Sequence, residues 1–131
     1  MQSSPVVLVI DDEASILETV RILLRNEGFT PHTALGGKTG LDLIAELKPD
    51  IVLTDVRMPG VTGLEVLTSV RANDPDTPVI LMTAQASLQY AVQAVNEGAF
   101  YYLQKPFSDA ELVAIIHRAT ESRQREGENR P

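Results

Sequence analysis

Five short apolar runs, each followed by a longer stretch whose apolar residues recur at helical spacing, constrain this chain more than any other feature. The runs are "VVLVI" (6–10), "FTPHTA" (29–34), "DIVLTD" (50–55), "VILMT" (79–83) and "FYYLQ" (100–104). Nearly continuous Val/Ile/Leu runs suit strands buried on both faces, where neither side meets water. Ile16, Leu17, Val20, Leu23 and Leu24 predict a first helix, and Leu41, Ile44 and Leu47 a second. Leu64, Leu67 and Val70 predict a third helix facing inward, Leu88, Ala91, Val92 and Val95 a fourth, and Leu112, Ile115, Ile116 and Ala119 a fifth. The punctuation agrees. Gly28 and Gly98 read as helix stops, Thr62/Glu65 and Ser108/Glu111 as capping boxes, and "ANDPDTP" (72–78) as a turn cluster.

Strict strand–helix alternation implies an α/β fold, a parallel sheet with helices on both faces and right-handed crossovers. With five strands the expected architecture is a flavodoxin-like (βα)5 doubly wound sheet in the order 2-1-3-4-5. Pro31 cannot donate a ladder hydrogen bond and suits the edge position this order gives the second strand. At 131 residues and 44% apolar, the chain has the size and composition of one domain, expected over residues 1–124. Residues 125–131 are polar and read as a tail or the start of a linker.

Composition narrows the function classes. A net charge of −7 argues against direct binding of nucleic acid by this segment. There is no cysteine, so disulfides and thiolate metal sites are excluded. The amino-terminal apolar run is too short for a signal peptide, and no run approaches the length of a membrane span. The expected compartment is the cytoplasm.

The polar residues at the strands' carboxyl ends are Asp11 and Asp12, Asp55, Thr83 and Lys105. In the expected order they share one rim, and the three carboxylates meet where strands one and three diverge, the usual ligand position of such sheets. Each has an ordinary reading: a helix-dipole or capping pair, a turn aspartate before Pro59-Gly60, a strand-end hydroxyl and a solvated lysine. Together they suggest more. Crowded carboxylates repel and raise one another's pKa unless positive charge intervenes. Lys105 and a hard divalent cation such as Mg²⁺, which prefers carboxylate and phosphate oxygens, would balance three aspartates. An aspartate so placed can act as nucleophile toward phosphorus, with Lys105 and Thr83 as donors to the phosphoryl group. His32 and His117 lie away from this rim and read as surface residues, and no general base is placed for turnover.

"LVIDDE" (8–13), "DIVLTDVRMPGVTGLEVL" (50–67), "VILMTA" (79–84) and "GAFYYLQKPF" (98–107) resemble the receiver domain of bacterial two-component response regulators, in that family's order and spacing. The resemblance implies that Asp55 is the phosphoacceptor. It implies that Asp11, Asp12, Asp55 and the backbone carbonyl of Arg57 hold Mg²⁺. Thr83 and Lys105 would contact the phosphoryl group, and Thr83 and Tyr102 would form the switch. Implied partners are a sensor histidine kinase and an effector domain or downstream protein, with a homodimer through the face of the fourth helix, fifth strand and fifth helix. The protein would then be no enzyme acting on an external substrate, but a switch that catalyses its own phosphotransfer and slow dephosphorylation. The stretches "RMPGVTGLEVL" (57–67) and "GAFYYLQKPF" (98–107) lean toward enhancer-binding (NtrC-type) transcription regulators. Tyr101 stands where many members carry Asp, and Arg57 and Gln85 occupy positions that tune phosphoryl lifetime in the family.

Three other readings compete. A haloacid-dehalogenase-like phosphatase needs a second aspartate two residues past the nucleophile, where this chain has Arg57. A flavodoxin-like FMN binder needs a hydroxyl-rich phosphate loop, where this chain has Asp11-Asp12-Glu13. A pseudo-receiver that never accepts phosphate fits less well with the complete Asp/Asp/Asp/Thr/Lys set.

Overall fold

The computed structural model describes residues 4–85 and 87–128. Ten elements alternate along the chain: β1 (Val6–Asp11), α1 (Ala14–Asn26), β2 (Thr30–Leu35), α2 (Gly37–Leu47), β3 (Ile51–Asp55), α3 (Gly63–Asn73), β4 (Val79–Thr83), α4 (Leu88–Asn96), β5 (Tyr101–Gln104) and α5 (Asp109–Glu128). The five strands form one parallel sheet in the order β2-β1-β3-β4-β5, the order the alternation implied.

Side-chain alternation along the strands divides the core in two. Val7, Val9, Leu53, Ile80 and Met82 face one side, where α1 contributes Leu17, Val20 and Leu24 and α5 contributes Leu112, Ile115, Ile116 and Ala119. Leu8, Ile10, Val52 and Leu81 face the other, against Val66, Leu67 and Val70 of α3 and Ala94 of α4. Burying one such Leu or Ile side chain contributes about 1.5–3 kcal/mol. The two-sided coverage explains why the strands read as unbroken apolar runs.

Local signals act where the sequence placed them. After α1, Gly28 adopts φ +91° and the Phe29 N–H reaches back to the Leu24 carbonyl at 3.0 Å. That left-handed position favours glycine and satisfies a carbonyl the helix leaves open. Ser108 and Glu111 form the complete reciprocal capping box: the Glu111 N–H donates to Ser108 Oγ at 3.1 Å, and the Ser108 N–H donates to Glu111 Oε1 at 3.2 Å. At α3, Thr62 is the residue before the helix, and its hydroxyl accepts from the Glu65 N–H at 3.3 Å.

Strand β2 is an edge. The Thr30 N–H donates to the Pro5 carbonyl and the Gly36 N–H to the Asp11 carbonyl, so the even residues face β1. Pro31 therefore turns toward the open side, where its missing N–H weakens the edge as a template for further strands. Four strands differ by one residue from the sequence reading: β1 extends to Asp11, β2 runs 30–35, β3 begins at Ile51 and β5 begins at Tyr101. Two helical faces also differ. In α3 the deepest residues include Val66, while Leu64 is only partly buried. In α4 the apolar spacing marks the helix correctly but not its inner face, because Leu88, Val92 and Val95 are 81%, 49% and 70% exposed. Helix α5 continues to Glu128, and residues 129–131 of the expected tail lie outside the described residues. Among the described residues, no helix is long and apolar enough to cross a membrane.

Candidate functional site

Parallel strands running the same way deliver all their last residues to one rim. Asp11 ends β1, Asp55 ends β3 and Thr83 ends β4, while Lys105 directly follows β5. The order β2-β1-β3 places Asp11 and Asp55 on neighbouring strands. Carboxylate oxygens of Asp11, Asp12 and Asp55 lie within 4.8 Å of one another. Asp11 is fully buried and Asp55 is 7% exposed, whereas Asp12 faces solvent.

Lys105 closes the cluster from the β5 side. Its Nζ donates to Asp11 Oδ2 at 3.0 Å and stands 3.5 Å from Asp55 Oδ2. The second oxygen of Asp11 accepts the Glu13 backbone N–H at 3.0 Å. The Lys105 N–H donates to the Thr83 carbonyl at 2.7 Å, which sets where the lysine side chain begins. The Lys105–Pro106 peptide is cis.

These contacts do not neutralise the site. Burial pushes the Asp55 carboxyl above its ordinary range, with the charges of Asp11 and Asp12 adding to the rise and Lys105 opposing it. Burial likewise raises Asp11, against the hydrogen bonds from Lys105 and the Glu13 N–H. For Lys105, burial favours the neutral amine, but the Asp11 hydrogen bond and the charges of Asp11, Asp55 and Glu13 outweigh it and hold the ammonium above its ordinary value. One ammonium thus serves two buried carboxylates, with the exposed Asp12 close by. The donor set is all oxygen, and with its atoms within 4.8 Å of one another it can converge on one small ion with little movement. The residues therefore fit a small divalent cation, which would lower the energy of the ionised carboxylates.

The other expected residues fall into two groups. Thr83 lies at the rim, 2% exposed, with its hydroxyl donating to the Gln85 carbonyl at 3.2 Å and accepting the Gln85 N–H at 3.1 Å. The hydroxyl is engaged by its own turn rather than by the carboxylates. Arg57 extends away from β3, with its guanidinium carbon 5.7 Å from the centre of the Tyr90 ring on α4, a cation–π contact. Tyr102 sits in β5, partly buried against the α3–α4 side of the core, and its buried hydroxyl has no hydrogen-bond partner among the described residues. His32 and His117 stay out of the cluster: His32 is in β2, and His117 packs against Phe29 at 5.2 Å between ring centres.

Three contributors escaped the sequence reading. Glu13 supplies the N–H that orients Asp11 and a negative charge felt by Lys105; the third acid in Asp11-Asp12-Glu13 was its signal. Thr54 is a buried hydroxyl that donates to the Asp55 carbonyl at 3.0 Å, and a lone threonine in an apolar strand was its signal. Gly63 opens α3, and a Cβ there would stand 2.2 Å from the Asp55 carbonyl oxygen. Only glycine lets the helix start pack so closely on the end of β3, and the Gly63 N–H donates to the Val56 carbonyl at 3.0 Å. No local pattern announces such an approach.

Comparison with known proteins agrees with this architecture. The profile described as "Response regulator receiver domain" matches residues 7–117. The chain is 42% identical over 113 residues to the regulatory protein AtoC of Escherichia coli, covering 86% of this chain and 24% of AtoC. It is also 42% identical over 114 residues to the Escherichia coli DNA-binding transcriptional regulator NtrC, covering 87% of this chain and 24% of NtrC. The chain thus spans about a quarter of the length of these curated relatives. Among solved structures, a CheY-like response regulator receiver domain protein from Methanospirillum hungatei superposes with a TM-score of 0.91 at 28% identity, covering 95% of this chain and 99% of that one. A receiver domain protein from Clostridium thermocellum gives 0.88 at 34% identity, covering 92% and 97%. Sheet order, rim residues and matched span converge on one assignment: this chain belongs to the response regulator receiver domain family.

Proposed function

We propose that this domain is a phosphorylation-driven switch whose acceptor is Asp55. The observation that carries the reading is the buried Asp55 carboxylate, paired with Lys105 and flanked by Asp11 and Asp12 at one strand rim. An oxygen of Asp55 attacks the phosphorus of a phosphohistidine on a sensor kinase. The P–N bond breaks, its electron pair stays on the departing imidazole, and an aspartyl-phosphate remains. Lys105 holds positive charge beside the acceptor and opposes the burial that raises the Asp55 carboxyl, favouring the ionised nucleophile. The Thr83 hydroxyl, held at the rim by Gln85, is the nearby donor that turns toward the phosphoryl oxygens. Asp11, Asp12, Asp55 and the backbone carbonyl of Arg57 are the groups that would hold Mg²⁺. Bound there, Mg²⁺ supplies positive charge against the phosphoryl oxygens.

The output follows from what Thr83 leaves behind. When its hydroxyl leaves the Gln85 turn, the start of α4 loses a tether, and Tyr102 changes its packing against the same region. The face of α4, β5 and α5 then shifts between two populations. A buried hydroxyl with no partner among the described residues, as on Tyr102, is a polar group with something to gain from such a move. The similarity to AtoC and NtrC supports a role as the control segment of a transcription regulator, acting in the cytoplasm on an attached or separate effector, with pairing of two copies through the α4-β5-α5 face as one route. The domain acts on itself, through phosphotransfer and slow hydrolysis, and not on an external substrate.

The test is intact-mass spectrometry after incubation with acetyl phosphate and Mg²⁺. The expected result is one added phosphoryl group, stable in acid and labile in base. Chelation of the metal or Asp55→Ala abolishes the gain. An unchanged wild-type mass would make the domain an interaction module without phosphotransfer.

A further inference from the structure

Among the side chains described, the buried stripe of α5 ends at Ala119, yet the helix runs on to Glu128. Arg123 ties this polar extension to the body. Its Nη1 donates to Thr77 Oγ1 at 3.0 Å and lies 3.7 Å from Asp74 Oδ2, while its Nε lies 3.6 Å from Asp50 Oδ1. The partners are themselves fixed. The Thr77 hydroxyl, 2% exposed, donates to Asp74 Oδ2 at 2.6 Å, and Asp50 Oδ2 accepts the Val6 N–H at 2.8 Å. One guanidinium therefore joins the end of α5 to the start of β1, the residue before β3 and the turn before β4. The latter two strands carry Asp55 and Thr83 at their other ends. A planar fork with several donors can serve three acceptors in different directions, which a lysine ammonium on a flexible stem does less well.

We propose that Arg123 is a latch that fixes the direction in which the last turns of α5 leave the domain. The apolar stripe cannot do this beyond Ala119, so the orientation of the helix end rests on a polar contact set at the amino-terminal edge of the sheet. In a polypeptide as long as AtoC or NtrC, of which this chain spans 24%, that direction sets how a following segment is presented. The latch goes beyond the phosphotransfer reading and does not depend on it. Because two of its contacts are half-exposed ion pairs, it is salt-sensitive.

Amide hydrogen exchange on the full chain tests it, comparing wild type, Arg123→Ala and Arg123→Lys. The latch predicts about tenfold faster exchange over residues 120–128 in Arg123→Ala, with Arg123→Lys between the two, and unchanged exchange in β1 and β3. Raising salt to about 1 M, where the screening length falls to about 3 Å, should move the wild type toward Arg123→Ala and leave that variant unmoved. Equal exchange over residues 120–128 in wild type and Arg123→Ala would overturn the proposal. So would acceleration spread evenly through β1 and β3, which would make Arg123 a general stabiliser.

Discussion

Helices α4 and α5 carry apolar stripes of the same spacing, yet the fold treats them oppositely. Helix α5 buries Leu112, Ile115, Ile116 and Ala119 against the α1 side of the sheet. Helix α4 buries Ala94 and leaves Leu88, Val92 and Val95 facing solvent. A helix held by four buried residues is part of the scaffold. One whose single fully buried side chain is an alanine has little burial free energy resisting displacement, and such elements are the ones that move. The acceptor site adjoins the loosely held helix through two contacts, the Thr83–Gln85 turn before α4 and the Arg57–Tyr90 pair.

The largest expected effect lies on the α5 side. Ile116→Ala should lower unfolding free energy by about 2–5 kcal/mol, read as a drop in urea midpoint. A loss below about 1 kcal/mol would remove the scaffold role of α5. Next comes the site that links the two regions. Asp55→Asn removes a buried like charge facing Asp11 and Asp12, and should stabilise the metal-free domain by about 1 kcal/mol, roughly 3–5 °C in Tm. Mg²⁺ should raise the wild-type Tm more than that of Asp55→Asn. Destabilisation by this substitution would mean that the Lys105–Asp55 contact outweighs the repulsion.

The same charges set a pH signature. The Asp55 and Asp11 carboxyls are raised above their ordinary 3.8, mainly by burial, so the folded state binds their protons more tightly than the unfolded chain does. Their contribution is therefore most favourable at low pH and is lost as pH climbs from about 3.8 through the raised values. The stability advantage of Asp55→Asn over wild type should grow between about pH 4 and pH 7 in metal-free buffer. A constant gap would contradict the burial argument. Lys105 runs in a separate window: its raised value adds stability that is fully present below its ordinary 10.5 and lost only above it. The smallest effect is expected on α4. Leu88→Ala or Val95→Ala should change unfolding free energy by no more than about 0.5 kcal/mol, as for exposed positions. A loss near 2 kcal/mol would show that α4 is packed as firmly as α5 and would dissolve the comparison.

The contrast also marks what a single sequence can and cannot disclose. Alternation with Val/Ile/Leu strands forces a parallel sheet, and a parallel sheet forces Asp11, Asp55, Thr83 and Lys105 to one rim. The site was legible because strand direction alone places those residues. Coverage was not legible: periodicity says that Leu88, Val92 and Val95 share a helical face, but not whether anything packs on it. Close backbone approach was hidden too, since the need for Gly63 beside the Asp55 carbonyl exists only once β3 and α3 are in place. The Arg123 contacts were equally out of reach, because they join residues separated by 46 positions or more to a polar helix end with no pattern of its own.

The central claim is that the buried carboxylate beside Lys105 is the group that takes the phosphate. Borohydride reduction after treatment with acetyl phosphate and Mg²⁺ converts an aspartyl-phosphate to homoserine, and peptide mapping locates it. Homoserine is expected at position 55 and at neither 11 nor 12. Homoserine at 11 or 12, or none at all under conditions that add phosphate elsewhere, would contradict it.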